Sequence, residues 1–288
     1  MIPHVAEVGE DRGRVVVRLG AFVPASAAAI AAAVHVARAF QSELEGLLIE
    51  DPDAIAASAH AYVRALTPTG RPRPTGSLAQ VEQLAVHFGV AAQRGLATAA
   101  SKARVKFSAR IVRDAAIPAL QAACAERGPW NIIVFAEPLT SSEQSEALAA
   151  AFAKVWGTTA FIVSGPRAVW RNGPIVIALE DVDRLSGMLR AAQRLAAVHG
   201  GEVWLMPVGD DEIGLDWLEG EIRLMLGEAS PVKILPRPAV TGSSLVLRAA
   251  LSDCAPRMVM ARYGGVLVPM HAAIGPLSDL GCPAFLVH

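Results

Sequence analysis

Near the end of the chain, Arg262, Gly264 and Gly265 follow one apolar run, and nine residues separate Gly265 from Gly275. Glycine lets a backbone approach a phosphate closely, and free N–H groups at a helix start attract anions. Arg262 adds a fixed positive charge. The spacing is that of a phosphate-binding loop, or of a tight turn that kept glycine for positive φ. Acids cluster at two corresponding places, Glu50, Asp51 and Asp53, then Glu180, Asp181 and Asp183. Such carboxylates hold Mg²⁺ or cap the helix that follows. Capping is the reading adopted, with Asp53 and Asp183 in that role. Thr140, Ser141 and Ser142 offer hydroxyl donors, but Glu137, Glu143 and Glu146 surround them and repel a triphosphate. Helix capping is the simpler use of these hydroxyls.

Other reactive residue types form no recognised constellation. The seven histidines show no metal spacing, although His271 is near the glycine loop. His35 and His87 fall in alanine-rich helices and are expected to be packed or solvated. There is no Gly-x-Ser-x-Gly elbow. Cys124 and Cys254, near equivalent helix positions, read as small buried apolar residues. "TGRPRPTG" carries Arg71 and Arg73 between prolines and reads as an extended, exposed loop. No catalytic and no metal-ligating residue is therefore assigned.

These residues hang on a repeating order of elements. Strand-like runs "RVVVRLGAF", "LEGLLIED", "VKFSARIV", "NIIVFAEP" and "TAFIVSG" alternate with helices over Ala25–Phe40, Ser77–Ala103, Ala116–Glu126 and Ser142–Trp156. The second half repeats the order. Strands "PIVIALED", "EVWLMPV", "VKILPR", "RMVMA" and "PAFLVH" alternate with helices over Val182–Val198, Leu215–Leu226, Ser243–Ser252 and about Pro269–Leu280. "ALQAAC" and "VLRAAL" fill the same slot in the two halves. Such alternation predicts α/β architecture, two tandem flavodoxin-like domains over 1–165 and 173–288, each a five-stranded mainly parallel sheet covered on both faces. Each half ends in a strand that offers a sheet edge. Pairing of those two edges makes a built-in pseudo-dimer.

The totals exclude several function classes. Net charge is −1, with 18% charged and 53% hydrophobic residues, so no global electrostatic footprint for nucleic acid or anionic lipid is expected. "ASAAAIAAAVHVARAF" is too short, and too interrupted by His35 and Arg38, to insert in a membrane. The N-terminus "MIPHVAEVGEDRGR" lacks the pattern of a signal peptide. Three sparse cysteines fit a reducing compartment, and a cytoplasmic protein is expected.

The order of elements, the length of each half and the ending "CPAFLVH" resemble the universal stress protein family, over nearly the whole chain as two tandem copies. The resemblance implies five-stranded parallel sheets, pairing through the last strand and, in one branch, ATP binding. That branch carries Gly-x2-Gly-x9-Gly-Ser/Thr after its fourth strand. Here the second half reads Arg262-x2-Gly265-x9-Gly275-Pro276, with arginine for the first glycine and proline for the hydroxyl residue. Where the family's first strand ends in an aspartate beside the nucleotide, Glu180 stands in the second half. The first half has Leu19-Gly20 there, and no glycine in its fourth-strand loop. "ELEGLLIEDPDAI" is similar to a turn found in a subgroup of the family, which would set Glu50 and Asp51 at the carboxyl edge of the sheet. The resemblance implies a site for ATP or another adenine nucleotide at Glu180, Val208, Arg262, Gly264, Gly265 and Gly275, with the motif degenerate. The function expected is a non-catalytic regulatory or scaffolding protein with a protein partner, a second copy of the chain included. The alternatives are a ligand-free structural subunit of a larger complex and, more weakly, a Mg²⁺-dependent phosphoester or ATP hydrolase.

Overall fold

The computed structural model describes residues 13–20, 23–60, 62–66, 71–74, 76–128, 130–209, 211–227, 230–235, 249–251, 254–269, 277 and 279–287. The first half supplies β1 (Val15–Gly20), β2 (Leu44–Ile49), β3 (Arg64–Leu66), β4 (Pro72–Pro74), β5 (Phe107–Val112), β6 (Asn131–Phe135) and β7 (Thr158–Val163). The second supplies β8 (Ile175–Leu179), β9 (Val203–Pro207), β10 (Lys233–Ile234), β11 (Met258–Arg262) and β12 (Ala284–Val287). Ten strands form one sheet in the order β10-β9-β8-β11-β12-β7-β6-β1-β2-β5. Within each half the strands run 3-2-1-4-5 and pair in parallel. The halves meet at β7 and β12, which pair antiparallel with Phe285 opposite Ile162 and Leu286 opposite Phe161. All four of those residues are buried. Pairing of the two last strands, as expected, joins the two five-stranded sheets into one.

Burial on both faces explains why the strands read as unbroken apolar runs rather than alternating ones. All five residues of β6 and of β8 are buried. The helices are α1 (Ala27–Phe40), α2 (Pro52–Ser58), α3 (Leu78–Ala103), α4 (Ala116–Ala125), α5 (Ser142–Lys154), α6 (Leu185–Ala197) and α7 (Glu212–Leu226). One face of the sheet packs on α4 and α5, through Leu120, Leu148 and Phe152. The other packs on α1, α3, α6 and α7, through Ala32, Leu96, Leu195 and Ile222. On that second face α1 of the first half lies against α6 of the second.

Local chemistry sets the helix starts. Ser77 caps α3 and Ser141 caps α5, each in a reciprocal box with a glutamine three residues on. The helix expected from Val182 opens with a 3₁₀ turn, Val182–Arg184, before α6. α7 starts a turn earlier than expected, because the Asp211 carboxylate accepts the Gly214 N–H. Of the proline-rich loop, Pro72–Pro74 is extended as expected, but it pairs antiparallel with Arg64–Leu66 as a small ribbon, β4 with β3. The helices expected over 243–252 and 269–280 fall largely outside the described residues.

Candidate functional site

The carboxyl edge of the second half carries the predicted loop. β11 ends at Arg262, which is half-buried. Tyr263 then bridges to Val268, and the Gly264 N–H donates to the Val268 carbonyl at 2.8 Å, closing a tight turn. Gly264 has φ +78°, so glycine is required there. Glu180 follows β8 and reaches across to this turn. Its Oε1 accepts the Leu267 N–H at 2.9 Å. A Cβ on Gly265 would lie 1.9 Å from Glu180 Oε2. Gly265 is therefore the floor on which the carboxylate rests. An internal anion occupies the loop, on a backbone N–H of the kind that phosphate-binding loops use.

Of the predicted residues, the structure brings Glu180, Gly264 and Gly265 together. Val208 is buried, and its N–H is taken by the Leu179 carbonyl at 2.8 Å. Gly275, Pro276 and His271 lie outside the described residues.

The first half shows the same device with the partners exchanged. Gly20 ends β1, and a Cβ on it would lie 1.8 Å from Glu137 Oε1. Glu137 follows β6 and pairs with Arg18 Nη1 at 2.7 Å. Burial raises its carboxyl above the usual range, against the opposing pull of Arg18 and the Gly20 N–H. In the second half the acid is on the first strand and the glycine on the fourth. In the first half the glycine is on the first strand and the acid on the fourth. Sequence reasoning took Glu137 only as a charge that repels phosphate. The signal for its real seat was Gly20, a glycine where an acid is expected.

The acid clusters act as caps, but through other members than expected. Asp51 accepts from the Asp53 and Ala54 N–H groups, and Asp181 accepts from the Asp183 N–H. The middle acid of each cluster caps because it directly precedes the first helical residue, Pro52 in one case and Val182 in the other. Among the described residues, no group of three or more His, Cys, Asp or Glu side chains converges as a metal site would require.

Two buried features had no motif to announce them. Glu45 on β2 pairs with Arg14 at 2.6 Å and Arg110 at 2.8 Å, while Glu126 bonds both arginines. Asn131, at the start of β6, accepts the Arg14 N–H and donates to the carbonyls of Cys124, Arg127, Gly128 and Gly157. The glycine turn is also anchored across the halves. Tyr263 stacks on Phe152 of α5, ring centres 3.8 Å apart and nearly parallel at 9°.

No protein-family profile matches the sequence, and no curated protein matches it. Solved structures do match its fold. A universal stress protein from Archaeoglobus fulgidus DSM 4304 superposes with a TM-score of 0.59 at 11% identity, over 94% of this chain and 95% of that one. A putative universal stress protein from Pseudomonas aeruginosa UCBPP-PA14 gives 0.57 at 12% identity, over 95% and 92%. The cytoplasmic domain of a prokaryotic cation chloride cotransporter gives 0.50 at 11% identity, over 96% and 95%. At such identities the likeness is one of fold. The chain has the α/β fold of universal stress proteins along nearly its whole length.

Proposed function

We propose that this chain is a non-catalytic regulatory or scaffolding module of universal stress type, working through contact with another protein. In this reading, adenine nucleotide reaches the second half only by displacing Glu180. The observation that carries it is the Glu180 carboxylate seated on Gly265 and bonded to Leu267. A triphosphate brought to that turn meets a fixed negative charge, and like charges at contact distance repel strongly. Two further facts support a protein partner. Ile213, Trp217 and Leu224 stand exposed along one face of α7, apolar surface of the kind that protein contacts bury. The cotransporter domain of the same fold is, by its description, the cytoplasmic part of a larger protein.

The test is mass spectrometry of ligands released from freshly purified protein, then ATP titration calorimetry on wild type, Glu180→Ala and Gly265→Val. The reading expects no co-purifying nucleotide. It expects at least tenfold tighter ATP binding in Glu180→Ala than in wild type, and none in Gly265→Val. Nucleotide carried by wild type and lost in Gly265→Val would make the turn a working phosphate loop and overturn the reading. So would Mg²⁺-dependent ATP turnover abolished by Glu180→Gln.

A further inference from the structure

The opposite edge of the first half holds an open cavity of about 500 Å³. It lies where β1, β2 and β5 begin and where α1 and α3 end. Among the described residues its lining carries Arg14, Arg38, Arg104, Lys106 and Arg127 against a single carboxylate, Glu43. The net charge of the chain conceals this concentration, because the cations come from separate segments and meet only in the fold.

Three of the five cations are committed. Arg14 is paired with Glu45 and Glu126, while Lys106 and Arg127 both contact Glu43. Arg38 and Arg104 are exposed and have no carboxylate partner among the described residues. Helix ends attract cations, so one basic residue at each would need no further account. The backbone supplies a second observation. Arg104 caps α3 with φ 57° and ψ 39°, and Gln41 caps α1 with φ 52° and ψ 37°. These are left-handed positions that glycine fills at least cost. Two of the three described non-glycine residues with positive φ line this one cavity. Strained backbone retained at a cavity points to a use for its side chain.

We infer that this cavity binds a phosphorylated ligand carrying at least two negative charges, held by Arg38 and Arg104 as the guanidinium donors. Guanidinium groups match phosphate oxygens in pairs, and the volume suits a small phosphate ester. The same chemistry is presented by a free phosphate compound and by a phospholipid head group. The site is independent of the Glu180 turn, which lies in the other half.

The test is calorimetry with inorganic triphosphate at low salt on wild type, Arg38→Gln, Arg104→Gly and Gly265→Val. Arg104→Gly removes the side chain while easing its backbone, so loss of binding there is not loss of fold, and a melting curve checks this. Each arginine variant is expected to weaken binding at least tenfold, added salt to weaken it further, and Gly265→Val to leave it unchanged. Sedimentation with phosphatidylcholine vesicles, with and without phosphatidylinositol phosphate, separates the sources. Heat with triphosphate assigns a free phosphate ligand. Pelleting only with the phosphorylated lipid, lost in both arginine variants, assigns the head group. No binding in either arm, or binding indifferent to both arginines, overturns the inference.

Discussion

At the scale of residues, the glycines divide by what a methyl group would strike. On Gly265 it would strike a carboxylate, the movable end of a side chain. Gly265→Ala should therefore expel Glu180 and lose its bond to Leu267, a cost of about 1–2 kcal/mol for a part-exposed charged hydrogen bond. In a Glu180→Ala background the same substitution should cost almost nothing further. On Gly173 the methyl would lie 2.0 Å from the Ala255 carbonyl oxygen. Backbone cannot step aside there, and Gly173→Ala should cost about 3 kcal/mol, near the upper end for overpacking. Urea unfolding of these variants checks both figures, and a Gly265→Ala cost unchanged without Glu180 would refute the contact. Glu45 sets a second expectation. Its carboxylate is buried between Arg14 and Arg110, so Glu45→Ala leaves both arginines to the half-exposed Glu126 alone and should cost about 2–3 kcal/mol. Nothing in "LEGLLIED" announced this, because Arg14, Arg110 and Glu126 come from distant segments that only the sheet brings together.

At the scale of elements, the sequence was most readable where one local rule decided the outcome. Apolar runs such as "NIIVFAEP" are buried strands because both sheet faces are covered. Ser77 and Ser141 mark helix starts because their hydroxyls accept backbone N–H groups. Reading failed where partners were tertiary or two local rules competed. Asp51 caps α2 in place of Asp53 because Pro52 takes the first helical position. The segment around Arg71 reads as a free loop because prolines lack donors, yet part of it pairs, β4 with β3. The candidate site was half legible. Glu180 and the glycines were found, whereas the seat of one upon the other depends on β8 lying next to β11. The C-cap of α3 makes the next prediction. An arginine at φ 57° carries steric strain that glycine lacks. Arg104→Gly should raise stability by about 0.5–1 kcal/mol despite the extra freedom of the unfolded chain. A lowered melting temperature would show that the Arg104 side chain makes contacts that outweigh its backbone cost.

At the scale of the whole molecule, the two halves are joined twice, through β7 and β12 in the sheet and through α1 on α6 above it. His35 sits in the second joint. It is buried on α1, and its Nε2 meets the Leu195 carbonyl of α6 at 2.8 Å. That contact makes Nε2 the donor and leaves Nδ1 without a partner among the described residues. The ring stacks on His199 and meets Trp170 edge-on. Burial lowers its pKa from 6.5 to about 4, and Arg257, His199 and Arg38 push the same way against the Leu195 bond. His199 is lowered too, by burial first and then by Arg257 and Arg38. The sign follows from proton counting. Below about pH 6.5 the unfolded chain takes up a proton that the folded chain refuses until about pH 4, so stability falls as pH falls through that window. From about pH 7 to about pH 5, His35 alone should remove about 2 kcal/mol. Glu137, whose carboxyl burial raises in the fold, pulls the other way as pH falls, but it does so equally in wild type and in a His35 variant, so the difference between the two reports His35. His35→Gln keeps a donor for Leu195 but does not titrate. Urea unfolding at both pH values should show the loss shrinking by most of that amount in the variant. An equal loss in wild type and variant would mean that His35 is charged in the fold, and that the joint between the halves is not closed around a neutral ring.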